Sequence, residues 1–247
     1  MVVSVPVAIV LAAGEGRRMQ SDLPKVLHEA NGRRLVDWVL DAARAAGIAR
    51  IVVVVGHKAD EVRSALSVHE DVSFALQSEQ LGTGHAVMMC QESLQEHAGP
   101  ILVLNGDMPL IRSSSISALL ESQLSHGAAC VIGTARTEAN AGLGRIVRDS
   151  RGDFERIVEE VDASPEEALI EEINTGLYVF DGPSLWRALS EVEPNNRQGQ
   201  YYLTDCAAIL RDSGETVVAS CSLDITEAMG VNTPDQLEDV SRALSGA

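Results

Sequence analysis

The residues most able to do chemistry in this chain sit in its first 25 positions. Leu11-Ala12-Ala13-Gly14-Glu15-Gly16-Arg17-Arg18-Met19 is followed by Leu23-Pro24-Lys25. The segment comes directly after an apolar run, Val5 to Val10, that reads as a buried first strand. A strand that ends in a small, glycine-bearing loop turns sharply and exposes consecutive backbone N–H groups. Such a nest binds anions, above all phosphates. Two arginines and a lysine follow it, and Pro24 stiffens the backbone that carries Lys25. The blander reading is a tight turn with solvated arginines. Neither of two familiar phosphate motifs fits. Gly14-x-Gly16 has no third glycine, as a dinucleotide fold would require, and no Gly-Lys-Ser/Thr closes the loop.

Two further segments carry candidate chemistry. Gln77-Ser-Glu-Gln80-Leu-Gly82-Thr83-Gly-His85 follows an apolar stretch and opens a helical one. A glutamine amide accepts and donates, so it can accept from the N3–H of uracil and donate to a ring carbonyl. Cytosine has no N3–H and leaves that acceptor unpaired. Gly82 lets a backbone N–H approach the base edge. The alternative is simple helix capping by Thr83. Asn105-Gly-Asp107-Met-Pro109 places one carboxylate after another apolar run, where the alternative is a turn-forming aspartate. A carboxylate beside a phosphate needs a bridging cation. Mg²⁺ is the natural one, since it takes one or two protein oxygens plus phosphate oxygens and waters. Asn232, just before a final helix, is a second candidate oxygen donor, or else an N-cap.

The elements that must position these residues read as alternating strands and helices. Leu35, Trp38, Val39, Ala42, Ala43 and Ala46 recur on one helical face, and Gly47 stops that helix. Ile51 to Val55 is a continuous β-branched run, as expected of a strand covered on both faces. Helices are predicted over 58–66, 83–94 and from Ser113. Strands are predicted over Val72 to Leu76, Ile101 to Leu104 and Cys130 to Gly133. This rhythm implies an α/β fold with a parallel-type sheet flanked by helices. Beyond Gly142 it changes. Arg145 to Val147 and Phe154 to Val158 read as a hairpin, followed by an acidic helix-like stretch and a strand at Ile173 to Phe180. Helices over 183–190, 204–212 and 234–244 and a strand at Thr216 to Ala219 complete a smaller lobe that shares the sheet. The division is a nucleotide-binding half, 1–135, and a second half, 136–247, within one domain. Ligands of such sheets sit at the carboxyl ends of the strands, which is where the three segments fall.

Composition narrows the partners. A formal net charge of −17 over 247 residues argues against sequence-independent nucleic-acid binding. Lys25 and Lys58 are the only lysines, so Lys25 stands out beside the loop. No apolar run approaches the roughly 20 residues needed to span a bilayer. No basic segment precedes the first apolar run, so a cytoplasmic protein is expected. Cys90, Cys130, Cys206 and Cys221 have neither metal nor redox spacing and read as buried reduced thiols.

Several runs together resemble a known family. They are Leu11 to Met19, Leu23 to His28, Gln80 to Ala86, Gly106-Asp107, Gly144 to Ile146, Glu172 to Gly176, Tyr201 to Asp205 and Gly230 to Asn232. In this order they resemble the uridylyltransferase domain of bifunctional UDP-N-acetylglucosamine pyrophosphorylase/glucosamine-1-phosphate acetyltransferases. The resemblance implies a Rossmann-like three-layer nucleotidyltransferase fold with a mostly parallel mixed sheet and a smaller sugar-binding lobe. It implies formation of UDP-N-acetylglucosamine and pyrophosphate from UTP and N-acetylglucosamine 1-phosphate. Arg18 and Lys25 would be catalytic. Leu11, Ala12, Gly14, Gln77, Gln80, Gly82 and Thr83 would bind the nucleotide. Gly142, Glu159, Asn174, Tyr202 and Thr204 would surround the sugar, and Asp107 and Asn232 would bind Mg²⁺. Asn105 and Val161 depart from residues that some relatives carry, which leaves open another sugar 1-phosphate or dTTP as substrate. A non-catalytic sugar-nucleotide-binding domain is the reading from a different class. The family's hexapeptide-repeat acetyltransferase domain, which forms its trimer, has no counterpart in these residues. No acetyl transfer is therefore expected, and a monomer or weak dimer is.

Overall fold

The computed structural model describes residues 5–246. The absence of a basic leader was read on residues 1–4, which lie outside that range. Strand β1 (Val7–Ala12) runs into the glycine loop, and a two-residue ribbon, β2 (Glu29–Ala30) and β3 (Arg33–Arg34), leads into helix α1 (Leu35–Ala45). Then follow β4 (Ile51–Val55), α2 (Ala59–Leu66), β5 (Val72–Leu76), α3 (Thr83–Met88), α4 (Gln91–Leu94), β6 (Pro100–Asn105) and α5 (Ser113–His126). The remainder comprises β7 (Cys130–Arg136), β8 (Arg145–Arg148), β9 (Phe154–Val158), β10 (Glu172–Asp181), α6 (Gly182–Glu191), α7 (Thr204–Asp212), β11 (Val217–Ser220) and α8 (Pro234–Leu244).

The main sheet has the order β11-β7-β10-β6-β1-β4-β5, with β8 and β9 joined to the start of β10. Strands β6, β1, β4 and β5 are mutually parallel, as is the β7–β11 pair. Along that order β10 runs against its neighbours β6 and β7, and β8 pairs antiparallel with β10 and β9, so the sheet is mixed, with its central strands mostly parallel. Side chains alternate across it, as strand geometry requires. Val7 and Ile9 join a core with residues of α3, α6 and α7, while Ala8, Val10 and Ala12 join one with residues of α1, α2 and α5. Helices thus cover both faces, and every residue of β4 is buried. Each such valine contributes about 1.5–3 kcal/mol by leaving water.

Several local expectations need correction. The first strand lies two residues later than the apolar run, because Ala8 to Ala12 pair in register with β4 while Val5 is exposed. The helix expected over 83–94 is broken into α3 and α4, where Cys90 N–H bonds only three residues back, to Val87 O at 2.9 Å. The acidic stretch before β10 is not a helix beyond one 3-10 turn, Glu167–Leu169. Ser164 and Glu167 cap each other's backbone N–H there, at 2.8 and 3.2 Å, but Ile170 is already extended toward β10. The β2–β3 ribbon was not expected. Three cysteines are buried, but Cys221 is exposed; burial pushes the Cys90 thiol up to about 12.

Candidate active site

The parallel strands β1, β5 and β6 all end at one edge of the sheet, and β10 begins there. This brings the loops after Ala12, Leu76 and Asn105 together. Gly106 N–H donates to Leu11 O at 2.9 Å and Gln77 N–H to Val55 O at 2.8 Å, so each loop leaves from a paired strand end. A cleft of about 520 Å³ opens over this edge. Among its walls are Leu11, Ala12, Gly14, Lys25, Gln77, Gln80, Gly82 and Thr83 on the nucleotide side. Asp107, Asn232, Gly142, Glu159, Asn174 and Thr204 line the same space. Arg18 and Tyr202 lie outside the cleft wall. Arg18 is exposed on the 3-10 turn after Gly16 and makes no ion pair among the described residues. Tyr202 is half-buried, and its phenol is pushed up by burial and by the carboxylates of Asp162, Glu159 and Asp205.

Lys25 is the electrostatic centre. Its ammonium donates to Asp107 Oδ2 and, at 2.9 Å, to Asn232 Oδ1. All three are largely shielded from water. The position is set by Gly16, in the left-handed region at φ 62°, where a Cβ would come within 2.8 Å of Lys25 Cβ. Met19, at the end of the same loop, packs with Val231 and Val240, which ties the glycine loop to the segment carrying Asn232.

Asn232 is 125 positions from Asp107 in sequence, and Glu227 is what brings it back. This glutamate is only 1% exposed. It accepts Arg112 N–H at 2.9 Å, Ser115 Oγ–H at 2.9 Å and Asp224 N–H at 3.1 Å. Val231 N–H then reaches Asp107 O at 3.0 Å. Glu227→Ala would strand three donors, and a buried donor without a partner costs about 1–3 kcal/mol. We expect the variant to lose about 2–4 kcal/mol of stability in urea denaturation. A loss near zero would show that other groups dock this segment.

Gln77, also in the cleft wall, is 3% exposed. Its Nε2 donates to Gly82 O at 3.0 Å and contacts His85 Nδ1 at 3.1 Å. Its Oε1 accepts nothing among the described residues. Gly82 lines the cleft and also carries a packing task. It sits at φ 115°, and a Cβ there would meet Tyr201 O at 2.5 Å. Thr83 caps nothing with its side chain; its hydroxyl accepts Leu203 N–H at 3.1 Å. Both residues lock the 80–84 loop onto the 200–203 segment, and Gly84 N–H donates to Tyr201 O at 2.8 Å.

Around Asn174 the cleft is polar. Asn174 N–H donates to Gly144 O at 2.8 Å, and its Oδ1 accepts Gly176 N–H at 3.1 Å, within an irregularity of β10. Thr204 Oγ1 donates to Glu159 Oε1 at 3.3 Å. Arg145, 2% exposed, spans this region from beneath: it bonds Leu143 O and pairs with Glu160 at 2.6 Å. Arg145 is not among the site residues expected from sequence, and in a hairpin that also carries Arg148, Glu155 and Arg156 nothing in the spacing marks it out.

Burial raises the Glu159 carboxyl, with Asp205 and Asp162 adding to it. Burial, with Asp162, pushes Asp205 up to about 6. A carboxyl whose folded value is raised binds more protons folded than unfolded. Its stabilisation is full below the ordinary aspartate range and is lost as pH rises through about 6. Asp205→Asn should therefore be more stable than the parent at pH 8, by about 1 kcal/mol once partial solvent screening is allowed for. The difference should close toward pH 4. Urea titrations at the two pH values check this, and an equal difference at both would contradict it.

Comparison with known proteins agrees with this geometry. Residues 8–203 match the family model described as MobA-like NTP transferase domain. The chain is 48% identical over 232 residues to the bifunctional protein GlmU of Brevibacillus brevis, covering 94% of this chain and 50% of that protein. It is 48% identical to that of Enterococcus faecalis over 237 residues, covering 96% of this chain and 51% of the relative. The chain thus spans about half the length of the curated relatives it matches. A crystal structure of UDP-glucose pyrophosphorylase complexed with UDP-glucose superposes with a TM-score of 0.79. It is 17% identical and covers 98% of this chain and 99% of its own, so it speaks for the fold. Among the described residues no helix is long and apolar enough to cross a membrane. The resemblance read from the motifs is borne out along nearly the whole chain, which belongs to the family of MobA-like NTP transferase domains.

Proposed function

We propose that the chain is a sugar-1-phosphate uridylyltransferase, making UDP-N-acetylglucosamine and pyrophosphate from UTP and N-acetylglucosamine 1-phosphate. The observation that carries this reading is one cleft with three different chemistries along it. Gln77 offers an acceptor at one end, Lys25, Asp107 and Asn232 cluster together, and Glu159, Asn174 and Thr204 offer polar groups to a sugar. The motif resemblance supplies the choice of substrates.

A sugar phosphate oxygen attacks the α-phosphorus of UTP. One P–O bond forms and the bond to the β-phosphate oxygen breaks, so pyrophosphate leaves with its electron pair. The attacking monoester has a second pKa of about 6 and is mostly dianionic at neutral pH, so no general base is required. The obstacle is repulsion between two polyanions. Lys25 offsets it from within the cleft, and Arg18 would add its charge from the glycine loop beside it. Catalysis on this reading is positioning and charge neutralisation. Asp107 and Asn232 would hold Mg²⁺. Their side-chain oxygens already converge on a single positive centre, the Lys25 ammonium, so the donor set suits a hard cation. Among the described residues no three carboxylate, His or Cys side chains gather to hold a metal, so the remaining ligands would be phosphate oxygens and water. Bound there, Mg²⁺ would supply neutralisation of triphosphate charge.

The deciding experiment is pyrophosphate release with Mg²⁺ across UTP, CTP and dTTP and across several sugar 1-phosphates. We expect turnover with UTP and N-acetylglucosamine 1-phosphate to exceed the other pairs. UTP should exceed CTP by roughly one to two decades in kcat/KM, the cost of an unmade buried hydrogen bond. Thymine carries the same N3–H, so Gln77 does not separate dTTP from UTP, and the panel does. A preference for glucose 1-phosphate or dTTP would reassign the substrate, and binding without turnover would favour a regulatory domain.

A further inference from the structure

We propose that His85 contributes to base selectivity, by acting with the Gly82 carbonyl to hold the Gln77 amide so that its oxygen rather than its nitrogen faces the base. The inference rests on the reading of Gln77 as the group that meets the base.

Gln77 Nε2 has two neighbours. Gly82 O, at 3.0 Å, is a carbonyl and can only accept. The group facing it must therefore be the NH₂, which fixes the orientation of the amide. The second N–H of that NH₂ meets His85 Nδ1 at 3.1 Å. Nδ1 must then accept, so the imidazole carries its proton on Nε2. Two acceptors hold both hydrogens of the amide nitrogen. Turning the amide over would set Oε1 against the Gly82 carbonyl, and would keep the bond to His85 only if the imidazole moved its proton from Nε2 to Nδ1.

Oε1 is what this arrangement leaves for the ligand. Gln77 lines the cleft, and Oε1 is not one of the fully buried polar atoms lacking a partner, so it borders open space. An oxygen there accepts from an imide N3–H and repels the bare N3 of cytosine. The turned amide would do the reverse, since its NH₂ would donate to cytosine N3. Base choice therefore depends on the energy difference between two orientations of one side chain, and His85 supplies one of the two bonds that set it. His85 itself is held in α3, one residue after Gly84, whose N–H bonds Tyr201 O, and its ring lies 6.3 Å from that of Tyr201. It touches neither substrate nor reacting atoms on this account; it is a positioning residue.

The test is the ratio of kcat/KM for UTP to that for CTP. His85→Phe keeps a ring in α3 and removes the acceptor. The ratio should fall roughly three- to tenfold, which corresponds to about 0.7–1.4 kcal/mol. The change should come from a higher KM for UTP and a lower one for CTP, with little change in kcat. His85→Asn, whose Oδ1 can take the place of Nδ1 as acceptor, should keep the ratio within about twofold of the parent. Loss of activity toward both nucleotides with the ratio unchanged would overturn the inference, because general damage does not choose between bases. Should His85→Phe fail to fold, ¹⁵N-histidine NMR of the unaltered protein decides instead. A His85 proton on Nε2 supports the assignment, and a proton on Nδ1 overturns it. An unaltered protein that uses UTP and CTP equally would instead remove the reading of Gln77, and this inference with it.

Discussion

Asp107→Asn should lower turnover by about two to three orders of magnitude while leaving the fold intact. The substitution keeps the side chain's size and removes its charge. The backbone role of this residue survives, because it is Asp107 O, not the carboxylate, that receives Val231 N–H at 3.0 Å. The docking of the 224–232 segment through Glu227 is likewise untouched. On the proposed reading, what is lost is the carboxylate charge beside Asn232 Oδ1 that would hold a divalent cation against the triphosphate. A neutral amide oxygen is a weaker ligand for a hard cation. The measurement is kcat at saturating UTP over a Mg²⁺ titration, alongside a urea melt. Near-parental rates at high Mg²⁺ would remove Asp107 as a ligand. A collapsed melt would show that the Lys25–Asp107 pair is structural.

Lys25→Met should have an effect of similar size, about two to three orders of magnitude in kcat/KM, through a different loss. Methionine keeps much of the stem that packs beside Gly16 but carries no charge. The triphosphate then meets Asp107 without the ammonium that offsets it. The variant should also be less stable than the parent, since a largely shielded carboxylate loses its partner. Mg²⁺ with UTP should restore part of that stability, because a ligand that binds only the folded chain stabilises it by mass action. Lys25→Arg should not rescue activity. A guanidinium is larger and planar, and does not reproduce the compact ammonium that bonds both Asp107 Oδ2 and Asn232 Oδ1. Recovery of most of the rate by arginine would mean that charge alone, without placement, is what the site needs.

Much of this site could be read in the sequence, and the reason is local. Buried parallel strands are continuous apolar runs, so Ile51 to Val55 and Ile101 to Leu104 announce themselves. The rule that ligands meet the carboxyl ends of such strands then selects Gly14, Lys25, Gln77 and Asp107 from a chain with many glycines and aspartates. The Arg151-Gly-Asp turn between β8 and β9 is local in the same sense. Each of these signals lies within a dozen residues, where spacing and turn chemistry act.

The tertiary structure decided what depends on long-range contact. No periodicity foretold that β10 would enter between β6 and β7 in the antiparallel sense. Asn232 is brought toward Lys25 in part because the buried Glu227 satisfies two donors of the distant 112–115 segment and one in its own turn. Gly82 reads as a residue that serves the ligand, yet the closest demand on it comes from Tyr201 O, 119 positions away in the chain. The sequence shows that residue 77 is a glutamine; only the carbonyl of Gly82 and the Nδ1 of His85 settle which end of its amide faces the cleft. Sequence determines which groups exist and which lie near a strand end. Their orientation is set by partners brought together across the fold, where a hydrogen bond of about 3 Å leaves no mark on the spacing of residues along the chain.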